Sequence, residues 1–363
     1  MTLIITHLKS IFVLILAPCN RFPSTYAYTA VAKPRTVKVA DVNKDSKPDI
    51  IVGNYGLSSI SIFLNNGNGT FADQIIYQTS WAIYDIDIAD INGDDSIDVI
   101  ATTSNNRVVV LLNNGTGVFK NQTYTYYPIS SWLYSLAVTD LNGDNKIDII
   151  VSNRNTNSIG ILFNTGNGIF AIPITYASGI GPTYIITTNA NEDSMSDIVV
   201  VNTNSSNIGV FLNLGNGTFA TQVTYSTGSS PFSVTAADIN GDNKTDLIAT
   251  NNQADSISIF FNIGNGTFAT QTTYPVLSQP TSVATADFDG NGNLDIVVAS
   301  GSIYNVEILL NTDNGTFNSQ QTYYSGYVTN SMTVADLNLD GKSDIILSCY
   351  NNGYIGLMYA TCC

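Results

Sequence analysis

The chain carries one histidine, His7, in 363 residues. It lies in the opening stretch, so everything beyond it has no imidazole for a Ser-His-Asp triad, a histidine general base or a zinc site. This sets the expectation that the protein is not an enzyme. Charge is also scarce: 11% of residues are charged, and 13 Lys+Arg stand against 28 Asp+Glu for a formal net charge of -15. A nucleic-acid reader displaces counterions from phosphates with basic residues, so that class is excluded. Long apolar runs are missing too. The stretch Ile11 to Ala17 is far too short to span a bilayer but suits the core of an export signal. Residues 1–18 are therefore read as a signal peptide and 19–363 as a secreted, extracellular chain with no membrane span. What is plentiful is small or apolar: 44% hydrophobic residues and 28 glycines, the composition of one large turn-rich fold with a sizeable core.

One segment recurs seven times: DVNKDSKPD at 41, DINGDDSID at 90, DLNGDNKID at 140, NANEDSMSD at 189, DINGDNKTD at 238, DFDGNGNLD at 287 and DLNLDGKSD at 336, spaced by 49, 50, 49, 49, 49 and 49 residues. A second marker follows about 24 residues after each of the first six starts, as in NNGNGTF ending at Phe71 and NLGNGTF ending at Phe219. Within one unit, residues 282–287 alternate like a half-buried strand, Ile296 to Ala299 form a run suited to burial on both faces, Asn305 to Asn311 form a third strand, and an Asn-Gly turn leads into a fourth through Phe317 and Tyr323. Four-stranded antiparallel units of this length, repeated seven times, predict an all-β, seven-bladed β-propeller.

The register also predicts how the ring closes. Phe22 and Tyr28 precede Asp41 by 19 and 13 residues, the offsets of the fourth-strand Phe and Tyr in later units, while the chain stops after a third strand at Tyr354 to Ala360. Residues 22–29 are thus expected to complete the last blade. Cys19 and Cys363 fall at one repeat position, so a disulfide of Cys19 with Cys362 or Cys363 is expected if Cys19 is retained, and Cys349 is expected to be a buried free thiol.

The recurring loop places oxygen-bearing side chains at positions 1, 3, 5 and 9 and a backbone carbonyl at position 7, the spacing with which a flexible loop surrounds calcium. The candidate ligands are Asp41, Asn43, Asp45, Lys47 and Asp49 in the first loop; Asp90, Asn92, Asp94, Ser96 and Asp98 in the second; and Asp140, Asn142, Asp144, Lys146 and Asp148 in the third. The fourth offers Asn189, Asn191, Asp193, Met195 and Asp197, the fifth Asp238, Asn240, Asp242, Lys244 and Asp246. The sixth has Asp287, Asp289, Asn291, Asn293 and Asp295, and the seventh Asp336, Asn338, Asp340, Lys342 and Asp344. Position 7 contributes through its carbonyl whatever its side chain. Up to seven calcium ions are expected, with a structural role, and the fourth site, opening on Asn, should be weakest. Asn and Asp capping turns between strands would explain the residue types alone, but not carboxylates recurring at fixed positions in almost every copy.

At these loops, as in DINGDNKTDLI at 238–248, the sequence resembles the FG-GAP/VCBS repeat family, calcium-binding propellers related to the head of integrin α subunits. The resemblance covers residues 22–363. The Gly-Ala-Pro landmark of that family is eroded, reading Ala249-Thr250-Asn251 in one copy. The resemblance implies that calcium loops share one face and that ligands engage the other face or the crevices between blades. There the connections between blades carry Trp81, Trp132 and Phe232, with Tyr84 and Tyr134 nearby. These rings either contact a ligand or fill gaps between blades. The functional expectation is an extracellular, calcium-stabilised binding or adhesion module for a protein, with a calcium-dependent lectin recognising glycans as the alternative.

Overall fold

A computed structural model describes residues 21–30, 32–126 and 131–361. The segment read as a signal peptide, and the Cys19 pairing with Cys362 or Cys363, lie outside them. Seven four-stranded antiparallel sheets form the blades of a β-propeller. The innermost strands are Pro34–Ala40, Ile83–Ala89, Leu133–Thr139, Pro182–Thr188, Pro231–Ala237, Pro280–Ala286 and Ser331–Ala335. Each contacts its counterparts in the two neighbouring blades, so together they ring a central channel. Among the described residues the helical content is one 3-10 turn, Thr203–Ser205, and no helix is long and apolar enough to cross a membrane.

The second strands explain the continuous apolar runs. Asp49–Asn54, Asp98–Thr103, Asp148–Asn153, Asp197–Asn202, Asp246–Asn251, Asp295–Ser300 and Asp344–Cys349 are buried at every residue. Neighbouring blades cover both of their faces, so the apolar run is continuous and polar side chains there depend on internal partners. Cys349, at the end of the last of these, is a buried free thiol, and burial pushes it up to about 12.

The ring closes as the register predicted. Thr25–Thr29 pairs with Tyr354–Met358 as the fourth strand of the seventh blade. Tyr28 meets Phe71 edge-to-face at 5.5 Å, as Tyr225 meets Phe268 at 5.4 Å, and Phe22 meets Tyr323 at 5.2 Å. Arg21 and Thr361 are joined by a hydrogen bond, Thr361 N donating to the Arg21 carbonyl at 2.8 Å, so the two ends of the described chain are adjacent.

A second set of joints was not visible in the sequence. The first Asn of each hairpin marker is buried, and its amide spans two blades. Asn213 Nδ2 donates to the Ser196 carbonyl of its own loop at 3.1 Å and to the Leu141 carbonyl of the preceding blade at 2.8 Å. Asn65, Asn113, Asn164, Asn262 and Asn311 do the same, with Asn65 reaching Leu337 across the closure. In the seventh unit the position is Ala360, which has no amide to reach the Phe288 carbonyl.

Candidate functional site

Each acidic loop turns between the first and second strands with its fourth and sixth residues left-handed, as at Gly241 (φ 77°) and Asn243 (φ 62°) in the fifth loop. Those two reversals fold the loop back over its own carboxylates. In the sixth loop Asp287 Oδ1 accepts from Gly290 N at 2.7 Å and Oδ2 from Gly292 N at 2.8 Å. The aspartate at position 9 begins the second strand and is buried in every copy. Its two oxygens accept backbone N–H groups, as Asp246 does from Ile239 at 3.1 Å and from Asn262 at 2.8 Å. Burial pushes the carboxyls of Asp49, Asp98, Asp148, Asp246 and Asp344 up to about 6, against the pull of those hydrogen bonds and helped by the neighbouring carboxylates. Asp197 and Asp295 are raised for the same reason.

Among the described residues, carboxylate oxygens of three such groups converge in the sixth loop, where Asp287, Asp289 and Asp295 lie within 4.8 Å of one another. Elsewhere position 3 is Asn, and the position-5 carboxylate is already engaged. Lys47, Lys146, Lys244 and Lys342 pair with the aspartates two residues before them at 3.0, 2.6, 2.9 and 3.4 Å. The hydrogen bond from Lys146 holds Asp144 below its usual range. In the second and fourth loops the Asn at position 3 donates to the position-5 carboxylate, Asn92 to Asp94 at 3.0 Å and Asn191 to Asp193 at 2.8 Å. The side chain at position 7, read from the sequence as a bystander, is thus an internal cation in four loops.

The opposite face is built differently. The first strands open there, and the channel mouth is lined by Arg35, Tyr84, Tyr134, Thr183, Phe232, Thr281 and Asn330, one from each blade, with a free volume of about 40 Å³ below them. That holds a few waters, not a ligand. Just inside, Lys38 Nζ pairs with Asp87 Oδ1 at 2.9 Å, and Asp85 accepts from Thr36 Oγ1 at 3.0 Å and Ser135 Oγ at 2.7 Å. Burial works against the charge on Lys38, yet Asp87 holds its ammonium above the usual range.

At the mouth, aromatic rings form a continuous ladder. Tyr350, Tyr55, Tyr84 and Tyr134 follow one another at centroid distances of 5.9, 5.6 and 5.7 Å, with Trp132 6.2 Å from Tyr134. Arg35 lies over Tyr84 and Tyr134 at 4.8 and 4.7 Å, Arg154 over Trp132 and Tyr134 at 5.2 and 5.0 Å, and Arg107 over Trp81 at 4.7 Å. Of the five aromatics singled out in the sequence, Trp81 and Trp132 do lie in the connections. Tyr84, Tyr134 and Phe232 instead belong to the innermost strands. The difference arises because these strands begin with a register shift, as between Pro231 and Val234, which breaks the alternation that would mark their start.

The sequence pattern of the FG-GAP-like repeat matches residues 41–101, 90–151, 189–249, 238–298 and 290–347. The chain belongs to the FG-GAP-like repeat family. No curated protein matches this FG-GAP-like chain over its sequence. Solved structures show the same fold at low identity. BBS1N in complex with ARL6DN is similar at a TM-score of 0.67 and 10% identity, over 94% of this chain and 96% of that one. Virginiamycin B lyase from Staphylococcus aureus gives 0.67 and 14%, over 93% and 99%. An Agrocybe aegerita lectin specific for non-reducing terminal N-acetylglucosamine gives 0.59 and 20%, over 80% of each chain. At such identities the likeness concerns the fold alone.

Sequence reasoning missed the cations of this FG-GAP-like propeller's mouth. Arg35 stands six residues before its acidic loop, the repeat position that holds Tyr84, Tyr134 and Phe232 in other blades. Aligning the seven units at that offset would have found it.

Proposed function

We propose that this FG-GAP-like propeller is an exported module that binds a protein ligand and is stabilised by calcium in its acidic loops. The meeting of Asp287, Asp289 and Asp295 within 4.8 Å carries the metal half of this reading. An all-oxygen donor set on a loop suits a hard cation that takes six to eight oxygens. Calcium bound there neutralises carboxylates that otherwise repel one another beside the buried start of a strand. The remaining loops have fewer free carboxylates and, in four cases, a lysine to displace, so they fill later and more weakly. The fourth, beginning at Asn189, fills last. The binding half is supported by family membership and by a similar fold seen in complex with a protein.

Thermal unfolding with chelator and with calcium at about 1 mM, the range in which extracellular modules bind, tests the metal. Calcium should raise the melting temperature of the wild type, and Asp289→Asn should remove the highest-affinity part of the response in a calcium titration. An unmoved wild-type melting temperature rejects the calcium reading.

A further inference from the structure

The charges of this protein are divided between its two faces. The acidic loops and hairpins hold almost all of the carboxylates. On the opposite face, the loops between second and third strands and the connections between blades contain one, Asp255 in the fifth blade, where it accepts from Gln279 N at 2.8 Å. That same face carries Lys33, Arg35, Arg107 and Arg154, grouped on the first three blades. Asp85 lines the cavity below Arg35 and is bonded by Thr36 and Ser135, and Glu307 is buried and accepts from Leu277 N at 2.9 Å, so the four cations still outnumber the carboxylates on this face. A chain with a net charge of -15 thus presents one net positive surface, and it coincides with the aromatic ladder.

The way these cations are held matters. A guanidinium stacked on a ring uses its flat face, and its N–H donors lie in the plane, at the edge. Arg35 spends its Nε on the Tyr84 carbonyl at 2.9 Å. Among the described residues, the ion pairs are made by lysines, and neither Arg35 nor Arg154 forms one. Both share the ring of Tyr134. Two guanidinium forks held against one ring match carboxylates.

We propose that the channel mouth over blades one to three captures a carboxylate-rich segment of a protein partner, with Arg35 and Arg154 as the pairing groups and Tyr134 and Trp132 as the platform that fixes them. This rests on the reading of the protein as a binding module. A peptide fits better than a sugar for two reasons. Guanidinium groups already lie over Tyr84, Tyr134, Trp81 and Trp132, and a stacking sugar would have to compete with them. The surface is also open rather than concave, since the channel below holds only about 40 Å³, whereas small-molecule sites are deep. Tyr, Trp and Arg gathered on an open face are the composition of a protein-binding hot spot.

The test is selection of random twelve-residue displayed peptides on the whole protein in calcium buffer, with sodium polygalacturonate as a parallel probe. Retained peptides should be enriched in Asp and Glu, and should lose about tenfold or more in affinity for Arg35→Gln/Arg154→Gln, as expected when charge-assisted pairs at a hot spot are removed. Binding should weaken as salt rises, and Lys120→Gln, which removes one positive charge from an exposed outer strand, should leave it unchanged, whereas Arg154→Gln, the same single charge change at the mouth, should not. Arg154→Lys, which keeps the charge without the planar fork, should give an intermediate loss and guards against a folding defect in the double variant. Peptides without acidic bias, or bound equally by the double variant, overturn this inference while the binding-module reading stands. Retention of polygalacturonate alone, dependent on the two arginines, overturns the peptide assignment in favour of an acidic glycan. Retention of neither probe overturns both readings.

Discussion

The inter-blade asparagines make a demanding test of how the ring is held. Asn213 is buried, its Nδ2 bonds the Leu141 and Ser196 carbonyls, and its Oδ1 accepts from Gly215 N at 3.0 Å. Asn213→Ala removes all three bonds and leaves two carbonyls buried without their side-chain donor. At about 1 kcal/mol per bond, the loss is roughly 3 kcal/mol. With an unfolding entropy of roughly 2.1 cal/mol/K per residue over a chain this long, that lowers the melting temperature by about 4 °C. Asn213→Asp is nearly isosteric but turns an acceptor toward two acceptors, close to Asp197, which accepts from the main-chain N of the same residue at 2.8 Å. It should cost more than the alanine at neutral pH. The new carboxyl is stabilised in its protonated form in the folded state, so its folded pKa is raised, and the penalty should shrink as pH falls through that pKa. Urea unfolding of both variants at pH 7.5 and pH 5 measures this. Values for both within about 0.5 kcal/mol of wild type, or an aspartate milder than the alanine at neutral pH, would refute the argument.

Three further outcomes are expected. Leu339 is 53% exposed and left-handed at φ 61°. Leu339→Gly should therefore raise stability by about 0.5–1 kcal/mol, since relief of the 1–2 kcal/mol αL strain outweighs the added chain entropy; unfolding midpoints decide it. Five of the position-9 aspartates, Asp49, Asp98, Asp148, Asp246 and Asp344, sit at about 6 in the folded state against an ordinary 3.8, and Asp197 and Asp295 are also raised, so between these values the folded chain holds more protons than the unfolded one. In chelator, stability should fall as pH rises from about 4 to about 6. Calcium requires the ionised form and should abolish or reverse that slope; melting curves across the range, with and without metal, check both signs. Asp87→Asn leaves Lys38 charged in the channel without its partner. Lumen water screens part of the loss, which should reach about 1–3 kcal/mol rather than the larger cost of stranding a fully dry charge, and Lys38→Met/Asp87→Asn should recover most of it in equilibrium unfolding.

Period and register carried the architecture because the repeat interval is nearly invariant. Phe22 and Tyr28 could be assigned to the last blade from two offsets, and the structure places both rings where the offsets require. The loops were legible as oxygen-rich turns, but the pairing of Lys146 with Asp144 was not, since it depends on the path of the loop between them, where Asn145 is left-handed at φ 59°. The asparagine joints were hidden for another reason. Asn before Gly is already explained by the turn, and nothing local announces that Asn213 finds its second acceptor at Leu141. The mouth was half legible: its aromatics were noticed, but the arginines stacked on them come from three different blades, and only the closed ring brings them together.

The absence of an asparagine at Ala360 gives the toroid a built-in parting line. Six junctions are cross-stitched through a side-chain amide, while the junction between the sixth and seventh blades lacks that stitch and relies on Met332 N donating to Ser282 Oγ at 3.1 Å, on Thr25 Oγ1 donating to the Tyr324 carbonyl at 3.2 Å and on packing such as Phe22 against Phe288 and Tyr323. Breathing of the ring should therefore begin there, beside the loop with the densest carboxylates, so that an ion held by that loop guards the edge where the circle first gapes.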